Sequence, residues 1–595
     1  MNEQSFMKSL FHGVIAENMV FPYPSLGAAE ADHVTSMLES VRRFCAENVD
    51  GAQIDREGAI SPAVLAGLKD LGLFGLLIPK EYGGAGLSIT AYARVLQEVG
   101  GIDLAIAVTM AAHQSIGAMG ILLFGTEEQK RRYLPKLATG AWVAAFALSE
   151  SGAGSDAAAI QTRAERASLR GSENAAACDG GDGGDGGGDG GERDGYVLNG
   201  SKVWITNGGF ADVFTVFART SPNEFGSKPK ITAFIVDRAF GVESGPNEPK
   251  LGIRGCSTTS VSFNDIKVPA SNVLGDTGRG FRVAMEVLNR GRLGLASSCV
   301  GLSKRLIHLA VQRVQERKAF GRPIGEFGLI KDKIAVMMAE TFALESMTYL
   351  TTGLVDANVG DYSVESAICK VYGSETLWRV ANEVSQVAAG AGYMQDFPYE
   401  RLLRDARVNL VFEGTNEILR CFIALSGLQG PGRAIVEVAK AVREPIKGFG
   451  LLSDFAIRKA RTALGRERLT RHHPILNREA LVFELYTTHL AKGVEKVLRK
   501  HGNNIAEMQF TQKRVADIAI DLFAIASVIA RTTRAIEKRG EEGARREIDL
   551  TSIFVSAAEK RLAESVSGFD KNDDELRKSV ATKTYGDRGY PLEIL

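Results

Sequence analysis

Glu413 lies in a sequence context that could give its carboxylate acid–base chemistry. Phe412 precedes it, and Gly414 allows the chain to turn closely around a ligand. Thr415 is a suitable N-cap for a helix that continues through Ile418, which places Glu413 at the mouth of that helix. Apolar surroundings would raise the pKa of the carboxyl group. A glutamate before a helix is more often simply solvated, so the local sequence leaves both interpretations open.

Two other segments could bind a flat polar heterocycle. Residues 146–156 read as a strand that ends in a Gly- and Ser-rich loop, whose backbone N–H groups and hydroxyls suit a polar ring edge or a phosphate. In residues 202–209 an alternating strand places Trp204 and Thr206 on the same face. Taken singly, such segments are more often a plain turn and a core strand.

The bulk composition is that of a soluble globular protein with several domains. The chain has 595 residues, too many for one typical core, with 45% hydrophobic and 24% charged residues. Lys plus Arg and Asp plus Glu both total 71, so no whole-protein field attracts nucleic acid or an anionic membrane. We therefore expect no nucleic-acid partner.

Cysteine spacing and hydropathy indicate neither a metal site nor a membrane span. The cysteines lack CxxC pairs and zinc-like spacing, which suits reduced thiols in a cytosolic or matrix compartment. The N-terminus lacks the pattern of an export signal or a transit peptide. The most apolar long stretch, residues 515–530, is interrupted by Asp517 and Asp521 and is predicted to be a buried helix.

The hydrophobic periodicity changes from helical to β-rich and back to helical along the chain. This order predicts an α+β fold with an N-terminal helical domain at residues 1–145 and a middle antiparallel sheet or barrel at 146–275. A C-terminal helical bundle at 276–430 and an appended helical domain at 431–595 would follow.

A low-complexity tract lies inside the predicted β domain, at residues 178–195. Its repeated Asp-Gly-Gly pattern resembles calcium-binding glycine repeats, but those alternate with apolar residues that are absent here. The tract is therefore predicted to be a flexible surface loop that joins two strands.

Segments 146–156 and 202–209, in this order, closely resemble the flavin-binding segments of the acyl-CoA dehydrogenase family. The resemblance covers nearly the whole chain and includes residues 289–292, 316–321, 386–393, 403–407 and 411–418. The N-terminus, residues 112–117 and the extra C-terminal domain are similar to the very-long-chain branch of the family. The resemblance implies FAD-dependent conversion of long or very-long-chain fatty acyl-CoA to trans-2-enoyl-CoA, the first step of fatty acid β-oxidation. Electrons would pass to electron-transferring flavoprotein.

The family resemblance also assigns residues to FAD. Those expected near the isoalloxazine are Phe146, Leu148, Ser149, Ser155, Trp204, Ile205 and Thr206. Those expected to hold the pyrophosphate and adenine of a neighbouring subunit, which implies at least a homodimer, are Arg317, Phe320, Gln386, Ala389 and Gly390. Thr415 and Glu417 would complete the site, and Gln509 of the appended domain matches a position that reaches FAD. Ala389 and Ala319 depart from the family pattern.

The same resemblance makes Glu413 the catalytic base that removes the α-proton of the thioester. Some relatives carry the base one residue before the arginine of segment 289–292, but that position is Gly291 here. The role therefore falls to Glu413. The residues expected to bind substrate are Ser155, Asn289, Arg292, Phe412 and Gly414, with a purely structural role for Arg292 as the alternative.

Three features leave function or location open. Small residues at 109–117 favour a deeper acyl cavity, and His113 is interpreted as structural. Residues 439–471 form a basic amphipathic stretch that could lie on an anionic membrane, or else be a solvated helix. We expect the protein to be cytoplasmic if its source is bacterial and to lie in the mitochondrial matrix if its source is eukaryotic. If the basic stretch binds membranes, the protein would be attached peripherally to the inner membrane. An acyl-CoA oxidase and a protein that assembles respiratory complexes are the alternative functions.

Overall fold

The computed structural model describes residues 5–169, 193–220, 230–443 and 467–593. These residues form two compact units, Pro24–Asn416 and Met1–Tyr23 with Glu417–Leu595. Helix α1 (Phe6–Phe11) opens the chain and belongs to the smaller unit. The finer domain limits at residues 145, 275 and 430 stay predictions.

The larger unit begins with helices, most of which are capped in the first turn by a short polar side chain. Their bounds are α2 (Ala28–Asn48), α3 (Gly51–Glu57), α4 (Pro62–Asp70), α5 (Ile89–Ile102), α6 (Leu104–Ala111), α7 (Met119–Phe124) and α8 (Glu127–Ala138). Asp50, Ser61, Ser88 and Asp103 each accept a hydrogen bond from a backbone N–H group in the first turn. Thr126 forms a capping box with Gln129.

A π-helical segment, Ala112–Ala118, connects α6 to α7. The continuous stretch Leu104–Phe124 is long and apolar enough to cross a membrane, a feature that the sequence analysis missed in favour of residues 515–530. Within the described chain, 72% of its apolar window is buried, as in the core helix of a soluble protein. Inside this segment the buried His113 accepts from the Ala144 N–H through Nδ1, at 2.9 Å, and its Nε2 lies 3.0 Å from the Leu137 carbonyl oxygen. Both ring nitrogens are thus used by the backbone, in agreement with the structural interpretation.

The middle of the larger unit is a mixed sheet. Its strands are β1 (Ala144–Ala147), β2 (Arg163–Leu169), β3 (Arg193–Thr206), β4 (Val213–Arg219), β5 (Ile231–Asp237), β6 (Glu243–Ser244), β7 (Thr258–Pro269) and β8 (Val273–Leu274). The order is β6-β7-β3-β2-β4-β5-β8, with β1 beside β4. Most pairs are antiparallel, but β4 pairs in parallel with β1 and, at Arg163 and Arg219, with β2, so the predicted antiparallel sheet is mixed. The long connection through β2 and β3 makes this parallel pairing possible.

The predicted Gly-rich loop starts at residue 178 and lies outside the described residues as far as residue 192. Its last residues, 193–195, already belong to β3 and pair with β2. The loop prediction is therefore too long at this end, because cross-strand pairing continues through Gly195.

Helices return after the sheet: α9 (Gly280–Glu316), α10 (Gly328–Asp356), α11 (Ser363–Ala388) and α12 (Tyr399–Arg407). A short hairpin of β9 (Lys318–Ala319) and β10 (Arg322–Pro323) separates α9 from α10. Helices α5 and α9 approach closely, since a Cβ at Gly301 would lie 1.8 Å from the Gln97 carbonyl oxygen. Only glycine fits at that crossing.

The smaller unit is helical, with α13 (Asn416–Arg443) beginning next to the unit boundary, and then α14 (Asn477–His501), α15 (Gln509–Gly543), α16 (Arg545–Ser567) and α17 (Asp574–Asp587). The predicted buried helix at residues 515–530 is confirmed as the core of α15. Its two carboxylates are paired, Asp521 with Arg561 at 2.6 Å and Asp517 with Arg420 at 2.7 Å.

Candidate active site

Glu413 occupies a strained turn directly before α13. Its φ is +56° and that of Gly414 is +95°, so two successive residues adopt the left-handed region. This conformation costs a non-glycine residue about 1–3 kcal/mol, and it persists where the surrounding structure enforces it. Helix α13 begins at Asn416, so Thr415 occupies the position predicted for its N-cap.

The carboxyl group of Glu413 is withdrawn from solvent, although the residue as a whole is only half-buried. Its Oε2 is buried and has no hydrogen-bond partner among the described residues. Burial raises the pKa of Glu413 to about 7, against the opposing effect of the cationic Arg292 and Lys370. A carboxyl group with a pKa near neutrality can take up and release protons at physiological pH.

Both carbonyls of this turn accept hydrogen bonds from buried cationic side chains. Arg292 on α9 donates from Nε to the Glu413 carbonyl oxygen at 3.4 Å. Lys370 on α11 donates from Nζ to the Gly414 carbonyl oxygen at 2.7 Å. Arg292 is in turn held by Asn289, whose Oδ1 accepts from Nη1 at 2.9 Å. The observed contacts of Asn289 and Arg292 thus support the turn, and their contact with substrate stays a prediction.

Gly291 faces the Glu413 carboxyl group. A Cβ at position 291 would lie 3.1 Å from Oε1 of Glu413 and 2.7 Å from Cγ2 of Ile116. The segment expected to shape the acyl cavity therefore borders the candidate base. The geometry also shows why a carboxylate at position 291 could reach the same point in space.

The Ser- and Gly-rich loop after β1 is anchored to β3 by a buried ion pair. Lys202 donates from Nζ to Oε1 of Glu150 at 2.7 Å and to the Leu148 carbonyl oxygen at 3.1 Å. Burial lowers the pKa of Lys202 to about 8. Burial alone would raise the pKa of Glu150, but hydrogen bonds from Lys202 and Thr162 hold it below its usual value. The Val203 N–H also donates to the Ser149 carbonyl oxygen at 3.0 Å, which places the loop beside the strand.

The outer surface of this loop and strand is accessible. Ser149 is half-buried and Ser155 is exposed, while a Cβ at Gly152 or Gly154 would meet nothing within 4 Å. Trp204, at a break in the β3–β7 register and with a φ of +57°, is 61% exposed.

The other residues predicted around the isoalloxazine lie on β1 and β3. Thr206 is half-buried, and the intervening Ile205 is 2% exposed, so only its backbone can reach a ligand on the Trp204 face. Leu148 is buried, and the half-buried Phe146 packs its ring 4.9 Å from that of Phe217. An aromatic plane at Trp204 and the hydroxyl group of Ser155 are thus accessible to a ligand, while Thr206 is partly accessible.

A second set of predicted cofactor residues lies on an exposed surface around the β9–β10 hairpin and the end of α11. Its members are Arg317, Phe320, Gln386, Ala389 and Gly390. Phe320 is 94% exposed with a φ of +50°, and Ala389 has a φ of +54°. The ring of Phe320 is therefore accessible to a ligand or to another chain.

The remaining predicted residues lie near or beyond the unit boundary. Phe412 and Thr415 are half-buried at the Glu413 turn, and Glu417 is exposed in the first turn of α13. Gln509 is exposed at the start of α15 in the smaller unit, where it lines a cavity with Phe510. No cluster of three or more potential metal ligands occurs in the described ranges.

Sequence reasoning missed Lys370 at the candidate site. The signal that could have found it is a single lysine within the apolar run 367–372 of a helix. A lysine in such a position must be buried with compensating partners.

Comparison with known proteins identifies the family. Models of the N-terminal, middle and C-terminal domains of acyl-CoA dehydrogenase match residues 31–141, 187–266 and 278–428, and that of the ACAD9/ACADV C-terminal domain matches 474–589. The chain is 40% identical to the very long-chain specific acyl-CoA dehydrogenase, mitochondrial, of Macaca fascicularis, over 97% of this chain and 86% of that protein. It is also 40% identical to the Homo sapiens protein of that name, over 96% of this chain and 85% of that protein.

A solved structure, an acyl-CoA dehydrogenase complexed with FAD from Bacillus anthracis, superimposes with a TM-score of 0.78 at 29% identity. It covers 98% of this chain and 96% of that one. These matches confirm the family and the α+β fold class that the motifs predict. The chain belongs to the acyl-CoA dehydrogenase family.

Proposed function

We propose that the chain oxidises long- and very-long-chain fatty acyl-CoA to trans-2-enoyl-CoA, with FAD as cofactor and Glu413 as base. The observation that carries the proposal is the buried Oε2 of Glu413, which has no hydrogen-bond partner among the described residues and lies on a turn held by two cationic side chains. The identity to very-long-chain dehydrogenases over nearly the whole chain supports the reaction and its place as the first step of fatty acid β-oxidation.

The residues of the β1 loop and β3 fit FAD. Trp204 offers an exposed aromatic plane, and Thr206 and Ser155 offer hydroxyls around it. Gly152 and Gly154 leave open space in which a ring could approach the backbone closely. When bound, FAD supplies the acceptor for the hydride that leaves the β-carbon of the substrate.

Glu413 takes the α-proton in this proposal. The α-carbon of a thioester is a much weaker acid than an ordinary glutamic acid, so a raised pKa makes the carboxylate a better base. The backbone N–H of Glu413 would donate to the thioester oxygen, where negative charge develops as the proton leaves. Phe412 and Gly414, on either side, would shape the space around the acyl chain.

The test is anaerobic mixing of the FAD-loaded protein with a long-chain acyl-CoA, followed by a separate electron acceptor. Bleaching of the flavin absorbance and fast reoxidation by electron-transferring flavoprotein, but not by oxygen, are expected. Fast reoxidation by oxygen would instead identify an acyl-CoA oxidase. No bleaching with any acyl chain length would refute the enzymatic proposal and favour a role in assembling respiratory complexes.

A homodimer is proposed from the exposed second set of cofactor residues. Phe320 and its neighbours on the β9–β10 hairpin would contact FAD in the partner subunit, which would cover an aromatic side chain that is 94% exposed in the single chain. Light scattering of the FAD-loaded protein should give twice the chain mass, and Phe320→Ala should lower FAD retention.

Membrane association and compartment also stay proposals. The amphipathic segment 439–471 lies mostly outside the described residues, so its sequence alone supports peripheral binding. Co-sedimentation with anionic vesicles at low salt tests it, and protein left entirely in the supernatant would reject it. A mitochondrial matrix location follows from the named mitochondrial relatives if the source is eukaryotic, and a cytoplasmic one if it is bacterial.

A further inference from the structure

Lys370 is a buried cation whose direct partners within the described part of the chain are neutral. The residue is 0% exposed within α11. Its Nζ donates to the Gly414 carbonyl oxygen at 2.7 Å and to Oδ1 of Asn416 at 2.8 Å. A charge buried without a directly bonded counter-ion is costly, so a compensating role is expected for it.

Asn416 ties this contact to a rigid element. Its Nδ2 donates to Oγ of Ser374 at 3.0 Å and to Oε1 of Glu375 at 3.1 Å, both on the same helix as Lys370. Lys370 thus forms hydrogen bonds with the chain at both Gly414 and Asn416. The two contacts fix both ends of the short segment that links the strained turn to α13.

The charged and titratable groups that act on the Glu413 carboxyl come from three helices. Arg292 and Cys299 belong to α9, Lys370 to α11 and Tyr92 to α5. Of these, only Arg292 and Lys370 carry positive charge. Burial lowers the pKa of Lys370 to about 8, and the nearby carboxylate of Glu413 opposes that change, so the two groups stabilise each other's charged forms.

We propose that Lys370 is a positioning residue for the base. It holds the Gly414 carbonyl and the Asn416 side chain so that the left-handed turn aims the Glu413 carboxylate, and it keeps that carboxylate ionised from a distance. The inference rests on the proposed function of Glu413. It predicts an effect on proton abstraction that a purely structural lysine would not have.

The decisive variant is Lys370→Met, which keeps an unbranched side chain only one atom shorter and removes its charge. Loss of a nearby cation raises the pKa of a carboxyl group, so the pH midpoint of proton abstraction should rise by about one unit, lowering the rate at pH 7 about fivefold. Lys370→Gln, which can still donate to the Gly414 carbonyl, is the second variant if the first folds poorly. Arg379→Gln is the matched control, because Arg379 lies on the same helix as Lys370 and is paired with Glu340 of α10 at 3.1 Å.

The measurement isolates the base from hydride transfer. A long-chain 3,3-dimethylacyl-CoA has α-protons but no β-hydrogen, so exchange of its α-protons in D₂O, followed by mass spectrometry, reports on proton abstraction alone. The FAD-loaded proteins are compared between pH 5.5 and 9, with thermal unfolding and the dissociation constant of the same acyl-CoA recorded in parallel. An upward midpoint shift in both Lys370 variants, with the control unchanged, is the expected result.

Two outcomes separate this inference from the function on which it rests. If Glu413→Gln exchanges the α-protons at the wild-type rate, the base itself has been misassigned. If Glu413→Gln abolishes exchange but both Lys370 variants keep the wild-type midpoint, only the positioning role is overturned. A change in thermal stability or acyl-CoA affinity without a midpoint shift likewise leaves Lys370 as a structural residue.

Discussion

Replacing Glu413 by Gln tests the proposed base directly, because the amide preserves the shape of the side chain but cannot accept the proton. Loss of a positioned base lowers a rate by about 10²–10⁴-fold, and by more where no water can replace it. The buried Oε2, which has no partner among the described residues, places Glu413 nearer the upper end. FAD content and acyl-CoA binding should be retained.

Rapid-mixing bleaching of oxidised flavin by a long-chain acyl-CoA is the assay. Glu413→Asp is the matched comparison, because it keeps a carboxylate on an arm that is shorter by about 1 Å, an error that can cost about a hundredfold in rate. Wild-type bleaching by the Gln variant would refute the assignment. In the wild type, bleaching should rise with pH through about 7, since only the ionised carboxylate accepts the proton.

Glu413→Gln should lower activity but raise the stability of the folded protein. The pKa of Glu413 is about 7 in the folded protein against 4.5 for the ordinary group. Between these values the folded state binds the proton more tightly than the unfolded chain, so stability from this group is present below pH 4.5 and is lost as pH rises to 7. A difference of about 2.5 units corresponds to about 3 kcal/mol as an upper estimate.

Glutamine does not titrate, so the variant should gain stability relative to the wild type across this window. The substitution also removes the support that the Glu413 carboxylate gives to the charged forms of Arg292 and Lys370, which makes the gain smaller than this upper estimate. Urea unfolding of the FAD-loaded proteins at several pH values from 5 to 8 measures the difference. Parallel stability curves would show that the Glu413 carboxyl is not held in a desolvating environment.

Three further predictions concern Gly291 beside the candidate base, Lys202 beneath the β1 loop, and the Gly-rich tract. Gly291→Glu in the Glu413→Gln background should restore partial bleaching, since a Cβ there would lie 3.1 Å from Oε1 of Glu413, whereas Gly291→Gln in that background should not. Equal activity of the two double variants would exclude rescue by the new carboxylate. Lys202→Met should lower stability by about 3–5 kcal/mol and loosen FAD, because it leaves the Glu150 carboxylate buried without its ion pair. Adding Glu150→Gln should recover part of the loss in urea unfolding, and no recovery would argue against the pair. Deleting residues 179–192, which leaves β3 intact, should leave FAD content and turnover nearly unchanged, and loss of FAD would contradict the prediction that the tract only joins two strands.

Motifs were sufficient to predict the family, the order of helical and β-rich regions and the position of the candidate base. These features depend on residues that are close in sequence, such as Phe412, Gly414 and Thr415 around Glu413. The parallel pairing of β1 with β4 could not be read in this way, because it depends on which distant strands meet. The same limit applies to Trp204, whose accessible position depends on a local break in register that strand alternation does not predict.

Long-range contacts also explain why Lys370 was missed. The run 367–372 around it is otherwise apolar, and nothing in these neighbouring residues indicates the carbonyl that it contacts. Asn289, in contrast, was indicated by a motif, but the motif did not predict the partner of its side chain. Its motif predicts a substrate contact, but the observed partner of its side chain is Arg292, one turn further along the same helix. The substrate contact of Asn289 stays a prediction, and only the tertiary structure shows its contact with Arg292.

The way in which Lys370 uses its donors bears on how a buried glutamate can remain a useful base. A direct hydrogen bond from a cation to the carboxylate would favour the ionised form strongly and hold its pKa low, which would weaken it as a proton acceptor. The ammonium instead donates to two neutral oxygens, while Oε2 of Glu413 receives no hydrogen bond from the described residues. The cation therefore offsets the cost of burial only through space, and the pKa remains near 7. Its hydrogen bonds meanwhile hold the left-handed turn, so the position and the basicity of the carboxylate depend on the same lysine through two separate interactions.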